Sequence, residues 1–119
     1  MIKSKVTGIQ VLARATELLS KKTTAEDGTG WTRHVFARDA AGWTVQLESP
    51  EACQFCSLGA IGRAAFELKA ETEVAVDAEM RLDRMLHGAD IVNINDSPST
   101  TYSQIILAFK LAQTEAGDC

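Results

Sequence analysis

Ser49-Pro50-Glu51-Ala52-Cys53-Gln54-Phe55-Cys56-Ser57-Leu58-Gly59-Ala60-Ile61 is the stretch on which the fold turns, because the start of its helix decides where Cys56 stands. Ser49 is a good helix cap, Pro50 suits the first helical position, and Glu51 suits the positive pole of the dipole. The sequence therefore predicts a helix over Pro50 to Leu68 with both thiols inside it. Until Glu67 and Lys69 that segment has almost no polar face, as expected of a central helix buried nearly all round. Gly59, Ala60, Gly62, Ala64 and Ala65 form a run of small side chains, and each interior glycine costs about 1 kcal/mol of helix propensity relative to Ala. Close approach of another helix or of a hairpin across this small face is the compensation expected.

A helix beginning at Cys56 instead would aim its first amides at the sulfur and favour a thiolate. His34 or His87 would then serve as base and Asn93, Asn95 or Asp96 as orienter, the residue set of a cysteine-dependent hydrolase or transferase. Cys53 and Cys56 also form a C-x-x-C. As a metal site it lacks paired partner ligands, since His34, His87 and Cys119 are scattered along the chain, so the sequence supports no metal and no cofactor. As a redox motif it would have to sit at a helix start after a strand, which the Ser-Pro-Glu reading denies it.

Toward the N-terminus, Thr7-Gly8-Ile9-Gln10 has capping-box spacing and opens a helix running to about Lys22. Residues 23–30 read as a loop. Trp31–Ala37 and Trp43–Leu47, rich in aromatic and β-branched residues, flank Asp39-Ala40-Ala41-Gly42 and read as a β-hairpin. Toward the C-terminus, Thr72 caps a helix through Leu86, with Gly88 just past its end. Ile91-Val92-Asn93-Ile94 is either a helical turn or an isolated strand. Asn95-Asp96-Ser97-Pro98 is turn chemistry that shapes entry to the last helix, which Thr101-Tyr102-Ser103-Gln104 opens as a second capping box. The expected fold class is α+β: a mostly helical small single domain over residues 1–119, with about four helices, one β-hairpin and a frayed tail at 115–119.

With 119 residues, 45% hydrophobic and 24% charged, the chain is sized for one core. Its net charge of −4 and scattered basic residues, among them Lys3, Lys5, Lys21, Lys22 and Arg33, argue against a nucleic-acid partner on electrostatic grounds. No apolar run reaches the roughly 18 residues of a membrane span, so no membrane association is expected. An odd count of 3 cysteines fits reduced thiols and a cytoplasmic setting. Trp31 and Trp43 are the candidate interaction residues, as core aromatics or as one face of a protein-binding surface.

Taken together, Ala15-x-Glu17-Leu18-Leu19, Trp31, Ala37-x-Asp39-Ala40-x-Gly42, Ser49-Pro50-Glu51-Ala52, Cys56-x-x-Gly59-Ala60, Asn95-Asp96 and the closing Ile105 to Ala112 helix resemble a family of small uncharacterised bacterial and bacteriophage proteins. The resemblance implies a Cys-x-x-Gly-Ala helix followed by an Asn-Asp turn and a terminal helix. It is a domain of unknown function and so carries an architecture without an activity. Two departures stand out: Ile94 replaces an aromatic before Asn-Asp, and Cys53 is an added thiol. The function expected is that of an accessory protein acting through a protein partner, with a homo-oligomer left open and the cysteine enzyme as the competing class.

Overall fold

The computed structural model describes residues 6–22, 29–86 and 90–114. His87, Gly88, Cys119, Lys3, Lys5, most of the 23–30 loop and the expected tail at 115–119 lie outside the described residues. In chain order the elements are α1 (Gly8–Ser20), β1 (Ala37–Arg38), β2 (Gln54–Phe55), α2 (Ser57–Leu68), α3 (Thr72–Met85), α4 (Ile91–Asp96) and α5 (Tyr102–Thr114). This is the α+β class expected; among the described residues there are five helices rather than about four, with a two-stranded antiparallel sheet. Among the described residues no helix is long and apolar enough to cross a membrane.

Both capping boxes form, whereas Thr72 is the first residue of α3 rather than its cap, and Glu71 at the cap position makes no side-chain cap bond. Thr7 Oγ1 accepts from the Gln10 amide at 3.1 Å while Gln10 Oε1 accepts from the Thr7 amide at 2.8 Å, and Thr101 and Gln104 repeat the exchange at 3.2 and 2.8 Å. Each reciprocal pair satisfies two amides that a helix start would otherwise leave without partners. Asp90 caps α4 by accepting from the Val92 and Asn93 amides, which makes 91–94 helical rather than extended.

The helix at Pro50 does not exist. Ser49 Oγ accepts from the Glu51 amide and the Ser49 carbonyl from the Ala52 amide, so Ser-Pro-Glu closes a local turn. The chain then becomes extended: Cys53 N–H donates to Arg38 O, and Gln54 and Phe55 pair with Arg38 and Ala37. The helix begins at Ser57, with Cys56 in extended conformation as its cap. A good local cap lost to strand pairing because Phe55, 2% exposed, is buried only when β2 runs beside β1.

The expected tight connection also forms, with Asp39 Oδ1 accepting from the Ala41 and Trp43 amides and Gly42 at φ +91°. Beyond it, however, the 43–47 segment contributes a bridge at Thr44 rather than a full strand, and the two-residue strand partner comes from 54–55. Arg63 holds the intervening loop: Nη1 donates to the carbonyls of Leu47 and Ser49 at 2.9 and 2.6 Å, while Nε meets Glu67 at 2.8 Å. Burial works against the Glu67 carboxylate, but its bonds from Arg14 and Arg63 outweigh that and hold its carboxyl below the usual range. Through Arg14 this network fastens α1 to α2.

Leu12, Leu19, Ile61, Leu82 and Phe109 fill the core between α1, α2, α3 and α5, each side chain contributing roughly 1.5–3 kcal/mol of burial. The helix α2 is less enclosed than its composition suggests, since Phe66 is exposed. Its small residues do serve close approach. A methyl group on Gly59 would collide with the carbonyl of Phe36, whereas one on Gly62 would meet only the tip of the Leu47 side chain. Gly59→Ala should therefore lower stability by about 1–3 kcal/mol through overpacking against backbone, while Gly62→Ala should be nearly neutral; urea unfolding of the two variants measures the contrast.

Candidate functional site

An open cleft of about 330 Å³ lies where the 34–36 segment, the start of α2 and α4 meet, and it is lined by His34, Phe36, Cys56, Leu58, Val92 and Asp96 among others. The structure thus gathers Cys56, His34, Asn95 and Asp96, four of the sequence candidates, at one place. His87 lies outside the described residues.

Asn95 organises the floor and is 1% exposed. Its Oδ1 accepts from Trp31 Nε1 at 2.7 Å, from the Ser57 amide at 2.9 Å and from Ser57 Oγ at 2.7 Å. Its Nδ2 donates to the Thr32 carbonyl at 3.1 Å and to Asp96 Oδ1 at 3.0 Å. Three converging donors on one side and two acceptors on the other fix the amide orientation and use it fully. The Asn-Asp pair is therefore no clasp for the last helix, as its turn chemistry suggested; Thr101 does that work. It ties the 31–34 segment to the start of α2.

Trp31, stacked under the Arg33 guanidinium at 4.4 Å and 5% exposed, is a core residue, which removes it as an interaction candidate. Its indole N–H needs a buried acceptor, and Asn95 supplies it. Trp43 is 73% exposed and stays on the surface.

His34 has φ +77°, a left-handed conformation uncommon for a non-glycine residue. Asp96 holds it there: Oδ1 accepts from the His34 amide at 2.8 Å, and Oδ2 stands 3.7 Å from the ring Nδ1. Backbone strain of this kind persists only where surrounding bonds over-determine it. The result is an imidazole at the mouth of the cleft.

Cys56 is 7% exposed, and its sulfur accepts the Gly59 amide at 3.2 Å. Burial pushes the thiol up, the Gly59 and Leu58 amides pull it down without prevailing, and the Asp96 charge adds to the rise. Helix position alone therefore does not create a resting thiolate. The His34 ring Nδ1 stands 3.7 Å from Asp96 Oδ2, and no hydrogen bond joins the imidazole to the sulfur. Two amides at the start of α2 are engaged elsewhere: Cys56 N–H donates to Phe36 O and Ser57 N–H to Asn95 Oδ1. The site thus has the residue types of a cysteine hydrolase, with its thiol raised and two neighbouring amides committed to the fold.

Cys53 is half-buried and lines a different cleft, beside Lys21, Arg63 and Glu67, so the C-x-x-C thiols face different surroundings. Among the described residues no group of three His, Cys, Asp or Glu side chains is arranged to hold a metal ion. Sequence reasoning missed Ser57, whose hydroxyl and amide both join Asn95, and Phe36, whose carbonyl fits against Gly59. Neither carries a local signal, since both roles depend on elements distant in sequence.

Removing the Asn95 amide leaves several buried groups without partners, each costing about 1–3 kcal/mol. Asn95→Ala should therefore be among the most damaging substitutions in the chain. Asn95→Asp keeps an acceptor but buries a charge beside Asp96; its stability deficit relative to wild type should shrink as pH falls from 7 to 4 and the new carboxylate takes up a proton. Parallel urea titrations at both pH values would decide this. Mass-spectrometric thiol labelling of the folded protein should modify Cys53 before Cys56, and the Cys56 rate should still climb with pH above the range where an ordinary thiol has levelled off.

Comparison with curated proteins gave no match, and comparison with solved structures gave none either. A family model does match, over residues 3–115, nearly the whole chain. The chain accordingly belongs to a family of unknown function, DUF6197.

Proposed function

We propose that the protein is a small cytoplasmic accessory protein of a bacterium or phage and acts by binding a partner protein through the Cys56 cleft. The observation that carries this reading is the cleft itself: an open, mainly apolar depression whose floor is a saturated hydrogen-bond network. Phe36, 56% exposed, and Val92, 43% exposed, stand on its walls, and large apolar side chains left in water beside a concave site are what a binding surface offers. A volume of about 330 Å³ suits one or two inserted side chains rather than a large ligand. The rigid floor favours affinity, because the site is already organised before a partner arrives.

The competing reading, a cysteine-dependent hydrolase or transferase with Cys56 as nucleophile, His34 as base and Asp96 as orienter, draws on the same geometry. The presence of all three side chains around one cleft favours it. The raised thiol and the lack of a hydrogen bond between the imidazole and the sulfur weigh against it.

Selection of random twelve-residue peptides displayed on phage against the immobilised protein separates the two. The binding reading expects a recurring apolar anchor, affinity reduced about tenfold or more by Phe36→Ala or Val92→Glu, and full retention by Cys56→Ser, since serine caps a helix at least as well. Peptides that bind equally well to the cleft-wall variants, or no recurring motif, would overturn it. Loss of binding in Cys56→Ser with unchanged folding would turn attention to the thiol.

A further inference from the structure

The cleft combines apolar walls with one acceptor that the fold leaves open. Asp96 Oδ1 is used twice, by the His34 amide at 2.8 Å and by Asn95 Nδ2 at 3.0 Å. Its second oxygen, Oδ2, faces the His34 ring at 3.7 Å, beyond hydrogen-bond length, and no other described residue donates to it. The Asp96 side chain is 25% exposed and lines the cleft, so this oxygen borders the space a ligand would fill. Of the other polar groups that line the cleft, Asn95 is saturated, the Cys56 sulfur accepts from Gly59, and the Thr44 hydroxyl carries no charge. The acidic side chain that lines the cleft is Asp96. Among the described residues neither Lys nor Arg lines it.

From this arrangement we infer that the cleft selects a basic side chain of the partner polypeptide, arginine or lysine, whose cationic tip pairs with Asp96 Oδ2. The inference rests on the binding reading above and adds the chemistry of the anchor. An arginine or lysine has an apolar stem that lies along Phe36, Leu58 and Val92 and a charged end that requires an acceptor, a division that matches walls and floor. A carboxylate partly shielded by apolar walls attracts such a tip more strongly than one on open surface. The Phe36 ring at the wall adds a face on which a guanidinium can stack. The net charge of −4 steers a basic segment toward the molecule and disfavours an acidic one.

The test repeats the peptide selection on Asp96→Asn, which keeps Oδ1 for the His34 amide while removing the charge. On wild type the enriched peptides should carry Arg or Lys at a fixed distance from an apolar residue. On the variant that basic position should randomise, with an unchanged melting temperature confirming that the fold is intact. For the best wild-type peptide, replacing its basic residue by citrulline or norleucine should weaken binding at least about tenfold, and the difference should diminish in high salt. A consensus without a basic residue, the same consensus on Asp96→Asn, or equal binding of the neutral analogues overturns the inference while leaving the cleft reading standing. Enrichment that survives Phe36→Ala instead removes both. Should Asp96→Asn melt earlier, the citrulline comparison on wild type decides alone.

Discussion

The amide of Asn95 holds together three parts of the chain that are far apart in sequence. Its oxygen receives the Trp31 indole and both donors of Ser57, and its nitrogen reaches the Thr32 carbonyl and Asp96. Without it the 31–34 segment, the first turn of α2 and the short helix α4 would each bring polar groups into the interior with no partner. A short helix such as α4 has little stability of its own, so its position depends on what Asn95 and Asp96 grasp. Because every donor and acceptor of the side chain is used, the network also gives a single geometry, and the cleft inherits its shape from it.

A second constraint comes from the start of α2. Cys56 caps the helix through its sulfur, and Gly59 lets the Phe36 carbonyl approach the first turn closely. The Arg63 side chain, one turn farther on, collects the carbonyls of Leu47 and Ser49 and so keeps the long connection between β1 and β2 against the helix. Glycine and arginine act on one element and join it to two parts of the 34–55 region, Phe36 and the carbonyls of Leu47 and Ser49. This explains why a region with so little regular secondary structure still presents ordered walls to the cleft.

The same features weigh chemistry against binding. A thiol at a helix start beside an imidazole and a carboxylate has the composition of a nucleophilic site, yet composition does not set reactivity. The sulfur is buried and its thiol raised, and the Cys56 and Ser57 amides beside it already serve the fold. Hydrogen bonds that stabilise the native state are not free to stabilise a transition state. What remains unspent is apolar surface on Phe36 and Val92 and one carboxylate oxygen of Asp96, the groups on which the proposed recognition draws.

Local patterns were enough to determine α1, α3 and α5 and the caps of the first and last of them. Thr7–Gln10 and Thr101–Gln104 form the boxes their spacing encodes, and α1, α3 and α5 follow their apolar periodicity, because capping and amphipathicity act over three or four residues. The small-residue face of α2 was legible for the same reason, though not what would press against it. Tertiary structure decided the rest. Ser49-Pro50-Glu51 has the chemistry of a helix start, but pairing of Gln54–Phe55 with β1 and burial of Phe55 outweighed it and moved the start to Ser57. That shift brought Cys56 to the cleft, and the long-range bonds of Asn95 and Asp96 brought His34 there and Trp31 into the core. Contacts between residues more than sixty positions apart, such as Trp31 with Asn95 and His34 with Asp96, leave no periodic trace in a single sequence, since only the packed chain brings their donors and acceptors within reach.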